Sequence, residues 1–175
     1  MARTADAKLA IVALAVMQAV AAAQPAAAQA GDWRVEQIES EEDDSVTTTV
    51  WTLSLAPIVG GMGLGTYPEL GFSCSAGVTT AYFLYRDTEF GSGVQDVTLR
   101  FDFEPPATTP FPIIPTGHGF GPAPDEDAIA FAMSLFGHDR LTVTVTPQFL
   151  DEIEVEFRVR DLEAAIAPVR EACDW

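Results

Sequence analysis

A period of two runs through most of this chain and restricts its fold more than any other feature. Leu141, Val143 and Val145 alternate with Thr142, Thr144 and Thr146, and beyond Pro147 to Glu152 the residues Ile153, Val155, Phe157 and Val159 alternate with Glu154, Glu156 and Arg158. Successive side chains of a strand point to opposite faces, so such runs bury one face and wet the other, as antiparallel hairpins do. Val46 to Ala56 alternates as well, with Trp51, Leu53 and Leu55 on one face and Thr48, Thr52 and Ser54 on the other. Leu70, Phe72 and Cys74 form one strand of a hairpin that turns at Ser75-Ala76-Gly77 into Val78 to Tyr85. Val94 to Phe103 follows, with Val97, Leu99, Phe101 and Phe103 expected inward. Trp33, Val35 and Ile38 suggest a brief strand near the start.

Helical spacing is confined to two places. Asp125-Glu126-Asp127 puts carboxylates at the positive end of a helix that would bury Ile129, Ala132, Met133 and Phe136 and stop at Gly137. A last helix begins at Asp161, buries Leu162, Ile166 and Val169, and bends or restarts at Pro168. The expected fold class is therefore α+β, a mostly antiparallel β-sandwich or curved sheet with two short helices. Between Glu104 and Pro124 the chain is rich in proline, which removes donors from a sheet, so this stretch reads as a semi-rigid surface loop. Pro57 to Pro68, rich in glycine, reads as a mobile loop.

The N-terminus carries a different signal. Arg3 and Lys8 precede an apolar run from Leu9 to Ala23, and Ala28-Gln29-Ala30 has the small residues of a cleavage site, so residues 1–30 read as a secretory signal peptide and 31–175 as a single exported domain. The run is too short for a membrane span, and no membrane insertion is expected after cleavage. Exported domains keep their disulfides. Cys74 and Cys173 are the only cysteines, and their simplest reading is one bond tying the C-terminal helix to a strand, the alternative being two buried thiols.

Charge narrows the function. Nine Lys and Arg against 26 Asp and Glu give a net charge of −17, which argues against nucleic acid and anionic membranes as partners. Lys8 is the only lysine, so the exported domain has no P-loop lysine, Schiff-base lysine or Ser-x-x-Lys pair. Gly60-Gly61-Met62-Gly63-Leu64-Gly65 does not match a dinucleotide fingerprint, and Glu41-Glu42-Asp43-Asp44 lacks the alternation of a Ca²⁺ loop. Gly71-Phe72-Ser73-Cys74-Ser75 fails as a nucleophile elbow at Ser75. His118 lies in a proline-bounded segment with no ligand or carboxylate at useful spacing, and His138 sits where a helix C-terminus favours a cation. The two Cys and two His are too far apart in sequence for a structural zinc site. No catalytic set, metal or cofactor is expected.

The ordered set of the Cys74 strand, Val97-Thr98-Leu99-Arg100-Phe101-Asp102, a short helix, Leu141 to Pro147, the strand with Phe157, the helix led by Leu162 and the terminal Cys173-Asp174-Trp175 resembles the exported VasI-type accessory proteins associated with type VI secretion clusters. The resemblance implies a periplasmic or secreted protein with an intramolecular Cys74–Cys173 pair and no catalytic residues to carry over. Those proteins are expected to have a Trp-Ser stretch where this chain has its proline-rich one. The expected function is a non-enzymatic accessory or interaction protein of the cell envelope, with an envelope protein as partner. Phe111, Ile113, Ile114 and Phe120 of the proline-rich segment are the candidate interaction surface. Two other classes stay open: an envelope hydrolase acting through His118, and an acidic protein that binds Ca²⁺ or another ligand.

Overall fold

The alternating segments become two antiparallel sheets. The computed structural model describes residues 29–40, 45–59 and 65–175. The signal peptide (residues 1–28 of it), the acidic run Glu41 to Asp44 and most of the glycine stretch, residues 60–64, lie outside the described residues. In chain order the elements are β1 (Gln29–Ala30), β2 (Trp33–Glu39), β3 (Val46–Leu53), β4 (Ile58–Val59), β5 (Gly65–Thr66), β6 (Glu69–Ser75), β7 (Val78–Leu84), β8 (Val94–Phe101), β9 (Ala107–Pro112) and β10 (Gly119–Phe120). They continue with α1 (Glu126–Ser134), β11 (Arg140–Val145), β12 (Ile153–Arg158), α2 (Leu162–Ala165) and α3 (Ala167–Cys173). One sheet has the order β1-β2-β3-β6-β7-β10 and the other β12-β11-β8-β9, with β4 and β5 paired apart from both.

The inner faces meet through aromatic rings. Phe83 on β7 reaches Phe157 on β12 at 5.8 Å between centroids, and Phe131 on α1 packs against Phe72, Phe83 and Phe111. That cluster sets the rotation of α1, which buries Ala128, Phe131 and Ala132, with Leu135 just beyond its end, and leaves Met133 exposed, so the helix sits off the face read from its spacing. The backbone N–H of Thr79 donates to Asp125 Oδ1, and the N–H of Asp125 donates to the carbonyl of Thr79, which fastens the start of α1 to β7. The last helix is interrupted at Ile166, giving α2 and α3.

Three further expectations change. On β3 the buried face carries Thr48 and Val50, continuing to Thr52 and to Ser54 just beyond, while Leu53 and Leu55 are exposed. The buried hydroxyls are satisfied: Thr48 Oγ1 accepts from Gln37, Thr52 donates to the carbonyl of Asp32 and Ser54 to that of Ala56. Phe103 is fully exposed, because β8 ends at Phe101 and Asp102 adopts a left-handed φ of 46°, which breaks the alternation.

The third change is larger. The proline-rich stretch is not a surface loop; it supplies β9 and β10, which edge one sheet each. Prolines are tolerated there because the strand is an edge and only alternate residues face the neighbour. Ile113 donates to the carbonyl of Gly93 on the β8 side, whereas the carbonyl of Pro112 points the other way and accepts from Gly121. Pro110 and Pro112 therefore occupy positions whose N–H would face away from β8. Beyond β9, Ile113 pairs with Phe120, so this hairpin carries the chain from one sheet to the other. At the opposite seam Ser54 pairs with Phe157 and Leu55 donates to the carbonyl of Glu156. Both sides of the sandwich are thus joined by backbone hydrogen bonds. Pro57 to Pro68 also holds structure, since Ile58–Val59 pairs with Gly65–Thr66.

Candidate interaction surface

Cys74 and Cys173 form a disulfide, with an S–S distance of 2.01 Å and Cα atoms 5.7 Å apart, tying β6 to α3. With both thiols committed, no Cys-His zinc site can form. Among the described residues no group of three His, Cys, Asp or Glu side chains is arranged to hold a metal ion, and no helix is long and apolar enough to cross a membrane.

The two histidines are held apart. His118 Nδ1 lies 3.0 Å from the carbonyl of Thr88, an acceptor, so this nitrogen carries the hydrogen. His138 leaves the end of α1 and places Nδ1 2.9 Å from Asp102 Oδ2, while its ring packs 5.1 Å from that of Phe101. Asp102 Oδ1 accepts from the N–H groups of Asp139 and Arg140. Burial opposes its charge, but these hydrogen bonds and the His138 charge outweigh burial and hold the carboxyl below its ordinary value. This is a turn anchor, with Asp102 at the end of β8 gripping the start of β11. Ser73 exchanges a 2.8 Å hydrogen bond with Thr80 Oγ1.

The four apolar residues of the proline-rich segment fall into two classes. Phe111 and Phe120 are core residues, 7% and 0% exposed, because the hairpin turns them onto Phe83, Phe131, Tyr85 and Phe90. Ile113 and Ile114 are both half-buried and within reach of a partner, Ile113 also packing against the core. They line an apolar groove of about 330 Å³ whose floor is Thr80, Ala81 and Tyr82 and whose walls are Pro112 to Pro115 and Gly121, Pro122 and Pro124. Gly121 is required here: a Cβ would collide with the carbonyl of Ala81 on β7. The prolines contribute no N–H donors, which leaves the groove apolar.

A second groove, of about 480 Å³, opens beside the first and shares Tyr82 and Ile114 with it. It runs over the outer face of the six-stranded sheet, past Glu36, Thr49, Trp51, Glu69, Leu84, Arg86 and Thr116. Tyr82 donates to Glu69 Oε1 at 2.8 Å and Arg86 Nη2 donates to Glu69 Oε2 at 3.2 Å. Burial, the Glu69 charge and the hydrogen bond to it all push the Tyr82 phenol up, so it stays protonated. Arg86 thus pairs with an acid seventeen residues away in sequence and not with its neighbour Asp87. The available clue was Gly71, a glycine in the interior of a strand, which marks a close approach by a neighbour.

The fold defines a disulfide-closed antiparallel β-sandwich with short helices filling its core. It is similar to the crystal structure of invasion associated protein B from Bartonella henselae, with a TM-score of 0.51 and 14% sequence identity over 86% of this chain and 99% of that one. What the two share at this identity is the fold. The chain matches no family model and no curated protein.

Proposed function

We propose that this chain is a non-enzymatic accessory protein of the cell envelope that acts by binding another protein. The apolar groove lined by Pro112–Pro115 and by Gly121, Pro122 and Pro124 carries the proposal, because an apolar groove with isoleucines on its wall is suited to an extended apolar segment of a partner. Export through a signal peptide at residues 1–30 and residence in the periplasm or outside the cell accord with the Cys74–Cys173 bond, since oxidising compartments preserve disulfides. The VasI-type resemblance and the name of the structural neighbour, invasion associated, support an envelope role without naming a partner. The test is photo-crosslinking in the native cell from position 114, with exposed position 163 as control. Recovery of one envelope protein from 114, lost in the Ile113→Asp variant, supports the reading. Equal recovery from both positions, or none, overturns it.

A further inference from the structure

The groove beside the proline walls has its own chemistry. Strand register places Arg34 opposite Trp51, Trp51 opposite Gly71, and Gly71 opposite Tyr82, so the four stand in one row across β2, β3, β6 and β7 on the outer face. Gly71 has no side chain, and the Tyr82 ring folds over it and extends to Glu69. Trp51 is held from its other side by the guanidinium of Arg34, 4.9 Å from the ring centroid. Two aromatic rings thus lie along a sheet face in positions fixed by charged neighbours.

The charges around these rings cancel. Glu36 and Glu69 are balanced by Arg34 and Arg86 on a chain whose net charge is −17, so this face is locally neutral where the molecule as a whole is acidic. An anionic segment would meet both glutamates and the overall field, and a cationic one, though drawn by that field, would meet Arg34 over Trp51 and find Glu69 already paired with Arg86. A purely apolar segment would bury the Glu36 carboxylate and the Thr49 hydroxyl without partners. The remaining ligand chemistry is neutral, with an apolar face for the rings and hydroxyls at its edge.

We propose that this groove binds a neutral saccharide, whose C–H face lies on Trp51 and Tyr82 and whose hydroxyls bond to Glu36, Arg86, Thr49 and Thr116. The Glu69 carboxylate, 9% exposed and committed to Tyr82 and Arg86, acts as a positioning group that fixes the ring and the guanidinium. The site is independent of the protein-binding reading, although Tyr82 and Ile114 border both grooves.

The experiment is a ¹H–¹⁵N NMR titration of the purified oxidised protein with β-1,4-linked tetrasaccharides of glucose and of N-acetylglucosamine, and with tetralysine and tetraglutamate as charged probes. Millimolar binding of a saccharide, with shifts centred on the Trp51 indole and the amides of Thr49 and Tyr82, is expected. Trp51→Ala, at a partly exposed position, should weaken it by roughly tenfold, while Glu163→Ala, at an exposed position outside both grooves, should leave it unchanged. Absence of shifts with both saccharides, unchanged affinity in Trp51→Ala, or preferential binding of either charged peptide overturns the proposal.

Discussion

Tyr82 lies across Gly71, its ring filling the space in which a side chain at position 71 would stand, and its hydroxyl donates to the buried carboxylate of Glu69. A missing side chain on one strand therefore fixes an aromatic ring on the next, and the ring in turn satisfies a charge. This relationship joins a backbone requirement to the floor of both grooves.

Gly71→Val should displace the ring, break the Tyr82–Glu69 hydrogen bond and lower stability by about 1–3 kcal/mol, the usual range for leaving a buried polar group short of a partner. Valine suits a strand, so the loss is not one of propensity. Urea midpoints of Gly71→Val in the native and Tyr82→Ala backgrounds check this. The valine should cost much less once the ring is absent, and equal costs would dissolve the coupling.

The two classes of residue in the proline-rich segment separate in the same assay. Phe120→Ala and Phe111→Ala each remove a buried ring and should cost about 3–5 kcal/mol. Ile114→Ser, at the groove wall, should cost less than about 1 kcal/mol. Deletion of Thr108 to Gly121 removes β9, β10 and both rings and should abolish the cooperative transition, where excision of a surface loop would leave it intact.

Reduction of Cys74–Cys173 opens a loop with a sequence separation of 99 residues. The chain-entropy model assigns a loop of this size about 4.7 kcal/mol of stabilisation. The Cys74→Ala, Cys173→Ala pair of substitutions should lower the unfolding free energy by about 3–5 kcal/mol, and alkylation of the native protein without reduction should add no mass. Two added alkyl groups would show free thiols.

Asp102 gives the stability a defined response to acid. Its folded value lies below the usual 3.8, so as the pH falls the unfolded chain takes up this proton first. The stabilisation is complete above about pH 5, declines as the pH falls past the unfolded value, and is gone once it has passed through the folded one. Since the side chain stays 30% exposed, solvent screening keeps the contribution small. Asp102→Asn should lower stability at neutral pH and flatten its decline below about pH 4. Parallel curves for the two proteins would show that Asp102 is not responsible.

Much of the architecture was legible because it is local. Period-two runs at Leu141–Val145 and Ile153–Val159 specify strands wherever they lie, and the short break between them specifies a hairpin. The cysteine count allowed one intramolecular bond, and the structure contains it. The helix at Asp125 announced itself by its acidic first turn, although not by its buried face, which the ring cluster around Phe131 chose.

What depended on distant partners was not legible. Whether Thr48, Thr52 and Ser54 face inward depends on acceptors and donors at Asp32, Ala56 and Gln37, which alternation cannot name. Whether a proline-rich stretch can join a sheet depends on which side each missing N–H would face, and that is set by pairing with β8. The outer-face grooves arise only from register, which brings Trp51, Gly71 and Tyr82 into line and Glu69 to Arg86. Local periodicity determined the strands and the cysteine count allowed a single covalent closure; tertiary pairing decided which faces are buried and where a ligand can lie, because hydrogen-bond satisfaction and side-chain opposition belong to pairs of strands and not to either alone.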